Sequence, residues 1–373
     1  MSKKRILVTG GAGFVGSHLV DALIKRGHEV RVYDNLTPQV HGDGLPTYFS
    51  RDVELMQGDM RHQERVREAV RNIDVVFHLA AAVGVGQSMY EIAHYMGANT
   101  QGTANLLQAL LDTRCTVEKL IVASSMSIYG EGKYVCPACG EMAPAPRSLS
   151  QLKQKTWEAL CPLCGVPLQP VPTDERKPLQ ATSIYALSKK DQEEMVLLFG
   201  RTYQVPAVAL RYFNIYGSRQ ALSNPYTGVA AIFASRLMNG NPPLVFEDGE
   251  QMRDFVSVHD VVAANLLAME RPQADGMALN IGSGQPITIR QVAAELARAL
   301  GTEIAPQITG KYRAGDIRHC FADISAAEKV LGYRPRVKFE EGIQELVQWL
   351  GSQKAMDRSA EAVEQLTTYG LAA

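Results

Sequence analysis

The residues VTGGAGFVGSHL, positions 8–19, constrain the fold more than any other stretch of this chain. An apolar run, RILVTG, enters three glycines spaced GxxGxxG (Gly10, Gly13 and Gly16), and a helix-like segment leaves them. That order suits the first turn of a parallel βαβ unit. Gly10 lets the chain turn tightly, Gly13 leaves its backbone open to a pyrophosphate, and Gly16 lets helix and strand approach closely. The helix N-terminus adds unpaired N–H groups and a partial positive charge, which favour an anion. The next strand-like run, EVRVYD, ends on Asp34. An acid there accepts hydrogen bonds from adenosine ribose hydroxyls and repels a 2′-phosphate, so the pattern predicts a site for NAD in preference to NADP. The plain alternative is that Asp34 caps the turn before Asn35.

The same rhythm continues. VELMQGD, DVVFHLA, KLIVASS and AVALRYFN read as strands, with helix-like segments at 62–70, 99–111 and 185–203. Apolar strands alternating with helices predict an α/β fold, a Rossmann-type doubly wound parallel sheet, and the less regular residues after Asn214 predict a smaller mixed α/β lobe. The expected division is a nucleotide-binding domain over 1–131 and 173–215, an insertion over 132–172, a substrate lobe mainly over 216–350, and a C-terminal tail over 351–373. A formal net charge of −1 over 373 residues argues against nucleic acid or an anionic membrane as a partner. No apolar run approaches the roughly 18 residues of a membrane span. The start, MSKKRILVTGG, lacks the apolar core and cleavage site of a signal peptide, so the expected location is cytoplasmic.

Two further motifs carry chemistry. In YALSK, Tyr185 and Lys189 lie four apart on an expected helix and share a face. A free tyrosine, with a pKa of about 10, is a poor base near neutrality, but a neighbouring ammonium favours its phenolate. SSMSIYG ends a strand and offers Ser125 to share a substrate proton.

TGGAGFVGSHL, GDM, HLAA, SSMSIYG, YALSK and RYFNIYG, in this order, resemble the extended short-chain dehydrogenase/reductase superfamily, the sugar-nucleotide epimerases and dehydratases. The resemblance covers nearly the whole chain except the insertion. It implies NAD in the first domain, a nucleoside diphosphate sugar in the second lobe, and Ser125, Tyr185 and Lys189 as the catalytic set, with Tyr185 and Lys189 also contacting NAD and Lys189 holding the nicotinamide ribose. It implies further NAD contacts at Phe14, Val15, Asn35, Asp59, Met60, Ala80, Ala81, Asn99, Ser124 and Phe213, with Asp59 at the adenine and Asn99 on the nicotinamide side. Substrate contacts are implied at Ser125, Met126, Tyr185, Asn214, Arg253, Arg313 and Asp316. Two guanidinium forks suit a pyrophosphate, although Arg313 has the alternative reading of a solvated surface residue.

In the dehydratase branch an Asp-Glu pair follows the catalytic hydroxyl residue, where this chain has Met126 and Ser127. The decarboxylase branch has Glu at the second of these positions, and branches that epimerise beside the ketone or reduce it have Cys there. What remains suffices for 4-epimerisation: oxidation at carbon 4, rotation of the keto sugar, and return of hydride to its other face. The insertion after SIYGEG and the segment RQALSNPYTGVAAIF resemble the dTDP-L-rhamnose 4-epimerase branch, while UDP-glucose, UDP-N-acetylglucosamine and UDP-glucuronate stay open as substrates. In this family the helices corresponding to 99–111 and 185–203 commonly pair in a homodimer.

The insertion carries CPACG and CPLCG, with twenty-one residues between Cys139 and Cys161. Two CxxC pairs at that distance, in a reducing compartment, predict a zinc ribbon ligated by Cys136, Cys139, Cys161 and Cys164. Four thiolates fill a tetrahedral ion, so the zinc is expected to be structural. Cys115 and Cys320 read as core residues. Zinc ribbons also bind nucleic acid, which leaves a competing class, an NAD-binding regulatory or RNA-associated protein. The few basic residues of the insertion, Lys133, Arg147, Lys153 and Lys155, argue against it.

Overall fold

The computed structural model describes every residue except 1, 43, 116, 222, 223, 225, 227, 314, 352, 354–356, 358, 372 and 373. Its centre is a seven-stranded parallel sheet in the order Ala278–Ile281, Ala207–Tyr212, Lys119–Ser125, Val75–His78, Arg5–Thr9, Glu29–Asp34, Glu54–Gln57. The chain adds strands outward on one side of Arg5–Thr9 and then on the other, so the order reverses between Arg5–Thr9 and Val75–His78. At such a switch point the crossovers diverge and leave a crevice at the carboxyl ends of the strands.

The strands are apolar on both faces because both are covered. Ile6 and Val8 face a core layer with Leu19, Leu23, Val261 and Leu266, while Leu7 faces the opposite layer with Leu106, Leu110, Val196 and Phe199. The helix Phe14–Lys25 packs on the first layer. Gly102–Asp112 and Ile184–Tyr203 pack on the second. The segment expected as a helix from position 99 begins instead with a π-helical turn, Met96–Gln101, which contains Asn99.

The second lobe has its own small sheet. Met252–Ser257 pairs with Asn214–Tyr216, Pro286–Thr288 and His319–Cys320, over a core that includes Phe233, Leu237, Leu296 and Leu346. The insertion forms a three-stranded antiparallel sheet, Gly140–Met142, Lys133–Cys136 and Gln169–Val171, around Tyr134, Cys136, Ala159, Cys161 and Leu168. Between the cysteine pairs it carries one short helix, Leu149–Lys153, and the chain turns away where Lys155 adopts a positive φ of 56°. Residues 351–373, read above as a tail, contain the helix Ser359–Thr368, whose Leu366 is buried.

Candidate active site

A cavity of about 690 Å³ opens at the switch point and extends into the second lobe. Its floor is the glycine turn. At Gly10, with φ of 69°, an added Cβ would lie 2.8 Å from the Ala80 backbone, and one at Gly16 would lie 2.2 Å from the Gly10 carbonyl oxygen. The turn therefore admits no side chain at either position. Gly13, Phe14 and Val15 line the cavity at the start of the helix Phe14–Lys25.

Asp34 ends its strand at the cavity wall, where its two carboxylate oxygens accept the N–H groups of Ala12 (3.0 Å) and Leu36 (2.9 Å). It thus ties the glycine turn to the following loop, which is the turn-capping alternative read for this acid from the sequence. His41 lies 3.7 Å from the same carboxylate, and burial pushes its pKa down. Its Nδ1 has no hydrogen-bond partner, although it is buried. Asn35, Asp59 and Met60 line the same end, and the Arg61 guanidinium holds the Asp59 carboxyl well below the usual carboxylate range.

Ser125, Tyr185 and Lys189, expected from the sequence to act together, also line the cavity. Ser125 stands where its strand ends, and its Oγ accepts the Ser127 N–H (3.2 Å) and hydroxyl (2.9 Å). Tyr185 is in the first turn of the helix Ile184–Tyr203, which Ser183 caps by accepting the Ala186 N–H (3.1 Å). Burial raises the Tyr185 pKa, and a hydrogen bond with Ser125 opposes that rise by favouring the phenolate. One turn on, burial pulls Lys189 down to about 7 against the attraction of Glu193. The Lys189 ammonium donates to Gln192 Oε1 (2.7 Å). The Gln192 amide donates to Thr103 Oγ1 (2.8 Å) and lies 3.2 Å from His78 Nε2. Burial and Lys189 hold His78 at about 3, so its ring is neutral.

Ala80, Ala81, Ser124 and Phe213 line the cavity as expected from the sequence. Asn99 does not. It is buried behind the loop, where it accepts the Ala82 N–H (2.7 Å) and donates to the Ala82 carbonyl (3.1 Å) and Ser188 (2.9 Å). Ser124 donates to Glu193 (2.6 Å), which forms a buried ion pair with Arg211. On the second-lobe side, Met126, Asn214, Arg253, Arg313 and Asp316 line the cavity. Arg253 donates to the carbonyls of Met252 (2.8 Å), Arg318 (3.0 Å) and Ile317. Arg313 stacks on Phe246 and donates to Asp316 (2.8 Å). The side-chain oxygens of Asn214, Gln220 and Gln251, which also line this part, have no partner.

Sequence reasoning missed Gln192, Glu193 and His41, and also Val363, Leu366 and Leu371, which close one side of the cavity. Gln192 and Glu193 follow Lys189 on one helix, but Thr103 and Ser124, with which they form hydrogen bonds, come from other elements, and the three apolar residues carried no local signal either.

The four ribbon sulfurs lie within 4.8 Å of one another, and those of Cys136 and Cys164 are 3.6 Å apart. A tetrahedral ion with Zn–S of about 2.3 Å implies sulfurs about 3.8 Å apart, so the set fits zinc. Gly140 and Gly165, after the second cysteine of each pair, take positive φ. Backbone hydrogen bonds from Leu163 and Cys164 reach the Cys161 sulfur. Cys115 and Cys320 lie outside this cluster; Cys320 is buried and the Cys115 thiol donates to the Val70 carbonyl (3.1 Å).

Residues 6–150 match the model of the NAD dependent epimerase/dehydratase family, and residues 167–346 match that of GDP-mannose 4,6 dehydratase. A dTDP-L-rhamnose 4-epimerase of Burkholderia thailandensis is 33% identical, over 94% of this chain and 96% of its own. Among solved structures, UDP-glucose 4-epimerase of Thermotoga maritima with UDP-glucose is 32% identical with a TM-score of 0.76, covering 93% of this chain and 98% of that one. UDP-glucose 4-epimerase of Thermus thermophilus in complex with NAD is 31% identical with a TM-score of 0.75, covering 94% and 100%.

Proposed function

This chain belongs to the NAD-dependent epimerase/dehydratase family, and on that premise we propose that it is a 4-epimerase of a nucleoside diphosphate sugar, with dTDP-L-rhamnose as substrate and dTDP-6-deoxy-L-talose as product. One observation carries the reaction type: Ser125, Tyr185 and Lys189 converge on the cavity with no acid at 126 or 127. The acids that do line it are accounted for. Asp34 and Asp59 belong to the adenosine end, and Asp316 is paired with Arg313. Elimination of water would need an acid and a base beside the reacting ring; Met126 and Ser127 supply neither.

NAD, when bound, supplies a reversible hydride acceptor. Gly10, Gly13, Phe14, Val15, Gly16, Asp34, Asn35, Asp59, Met60, Ala80, Ala81, Ser124, Lys189 and Phe213 would hold it, with Asn99 acting from behind through the Ala82 loop. Tyr185 takes the proton of the sugar 4-hydroxyl, Ser125 shares it, and Lys189 keeps the phenolate accessible. The same proton is returned after the sugar turns over. Asn214, Arg253, Arg313 and Asp316 would hold the sugar and diphosphate.

The apolar residues Met126, Val363 and Leu366 on the cavity wall suit a 6-deoxy methyl. The second reading, a UDP-glucose, UDP-N-acetylglucosamine or UDP-glucuronate 4-epimerase, is favoured by the likeness to the Thermotoga enzyme with UDP-glucose. Anaerobic incubation with a panel of dTDP- and UDP-sugars, followed by NMR, is expected to give one 4-epimer without net NAD consumption. Net reduction of NAD or a dehydrated keto sugar would overturn the proposal.

The proposed metal is structural zinc on Cys136, Cys139, Cys161 and Cys164, in a cytoplasmic enzyme whose reducing surroundings keep thiols free. Among the described residues, no helix is long and apolar enough to cross a membrane. Exposed Leu111, Leu187 and Leu198 on the helices Gly102–Asp112 and Ile184–Tyr203 support a homodimer.

A further inference from the structure

The cysteine ribbon is rooted on residues 319–321, which directly follow the segment that holds Arg253 and Arg313. Its two stems meet there: the Gly132 N–H donates to the His319 carbonyl (2.8 Å) and the Thr173 N–H to the Phe321 carbonyl (2.8 Å). Two charged side chains then cross from the ribbon to the same segment. Buried Arg147 pairs with Glu247 (2.9 Å) and donates to the carbonyls of Asp316 (3.0 Å) and Trp157 (3.0 Å). Glu158 accepts from Arg318 Nε (2.9 Å) and Nη2 (2.6 Å), and its other oxygen is 2.9 Å from His319 Nε2. Glu131, just past the SIYG turn, accepts the Arg318 N–H (2.8 Å).

Segment 316–318 in turn holds Arg253 and Arg313, two of the three arginines that line the cavity; the third, Arg236, donates to the Pro242 carbonyl (2.7 Å). The Ile317 and Arg318 carbonyls accept from Arg253, and the Asp316 carboxylate accepts from Arg313. A shift of the ribbon therefore reaches either guanidinium through one backbone segment. Arginine is a long side chain whose fork gives bidentate hydrogen bonds only when oriented, so whatever fixes its anchor sets how much freedom is lost on binding.

We propose that Arg147 and Glu158 are positioning residues for diphosphate binding, and that the metal-bound ribbon acts as a strut holding segment 316–318, and with it Arg253 and Arg313, ready for two linked phosphoryl groups. This rests on the reading of the cavity as a nucleoside diphosphate sugar site. The probes are UDP and dTDP, titrated calorimetrically into full-length wild type, Arg147→Met and Glu158→Ala, with metal content, bound NAD and thermal melting measured in parallel. The expected result is at least a tenfold loss of affinity for whichever diphosphate wild type binds, a matching rise in KM, and kcat within about threefold, with NAD and metal content unchanged. Arg147→Lys, which keeps the charge opposite Glu247, is expected to recover part of the affinity. Should Arg147→Met fail to fold, Glu158→Ala carries the test, since that side chain is 37% exposed. Unchanged diphosphate affinity in folded variants, or a loss of kcat alone, would overturn the strut while leaving the epimerase reading intact. Failure of wild type to bind either diphosphate would overturn the reading of the cavity and the strut with it.

Discussion

Tyr185 carries two opposed demands, because the burial that lines it up with Ser125 also makes its phenolate costly. Replacing it with Phe removes the proton acceptor while keeping the ring, so kcat is expected to fall by roughly 10²- to 10⁴-fold with bound NAD unchanged, measured by NMR turnover and denaturing release of the nucleotide. In the proposed reaction Lys189 has the task of setting the pH at which that phenolate is available. An ammonium beside a phenol lowers its pKa, so Lys189→Met is expected to move the acidic limb of the kcat–pH profile upward. An unmoved limb would remove Lys189 from this role. Both residues were legible in the sequence, since YALSK places them one helical turn apart. Gln192 was not, because its meaning depends on His78 and Thr103 arriving from other elements to form a buried network around the Lys189 ammonium.

At the scale of elements, the sheet and its two helical layers followed from apolar runs alternating with helix-like segments, and the glycine turn located the cavity before any contact was known. The insertion was legible only through its cysteines. Its apolar interior is Tyr134, Ala159 and Leu168 with the two buried cysteines, Met142 packed against them and Leu152 buried on the short helix, too little to hold three short strands and their loops without an added constraint. Removing metal with a chelator, or substituting Cys136→Ser, is expected to make residues 132–172 a preferred site of limited proteolysis while bound NAD is retained. Mass spectrometry of the fragments checks this, and one zinc per chain is expected before treatment. The helix Ser359–Thr368 escaped the sequence reading because its contacts lie far away in the chain: Gln365 accepts from Tyr90 (2.9 Å) and Tyr226, and Tyr369 stacks on Tyr90.

For the whole molecule, the exposed leucines of two neighbouring helices are costly in water, and a second copy is the partner that would cover them in the proposed dimer. Light scattering is expected to give twice the chain mass of 40.8 kDa, and Leu198→Lys, on a residue 56% exposed in the chain, is expected to shift the population toward monomer without loss of melting temperature. The seventh strand of the main sheet, Ala278–Ile281, has a different consequence. It is delivered by the second lobe, so the edge at Ala207–Tyr212 stays unpaired until residue 281 has left the ribosome, and an open apolar strand edge is a template for aggregation. A chimera that swaps substrate lobes between relatives by cutting near 215 would cover that edge with the incoming lobe's strand in place of its own, so the exchangeable unit for building hybrid enzymes has to keep 278–281 with the sheet it completes.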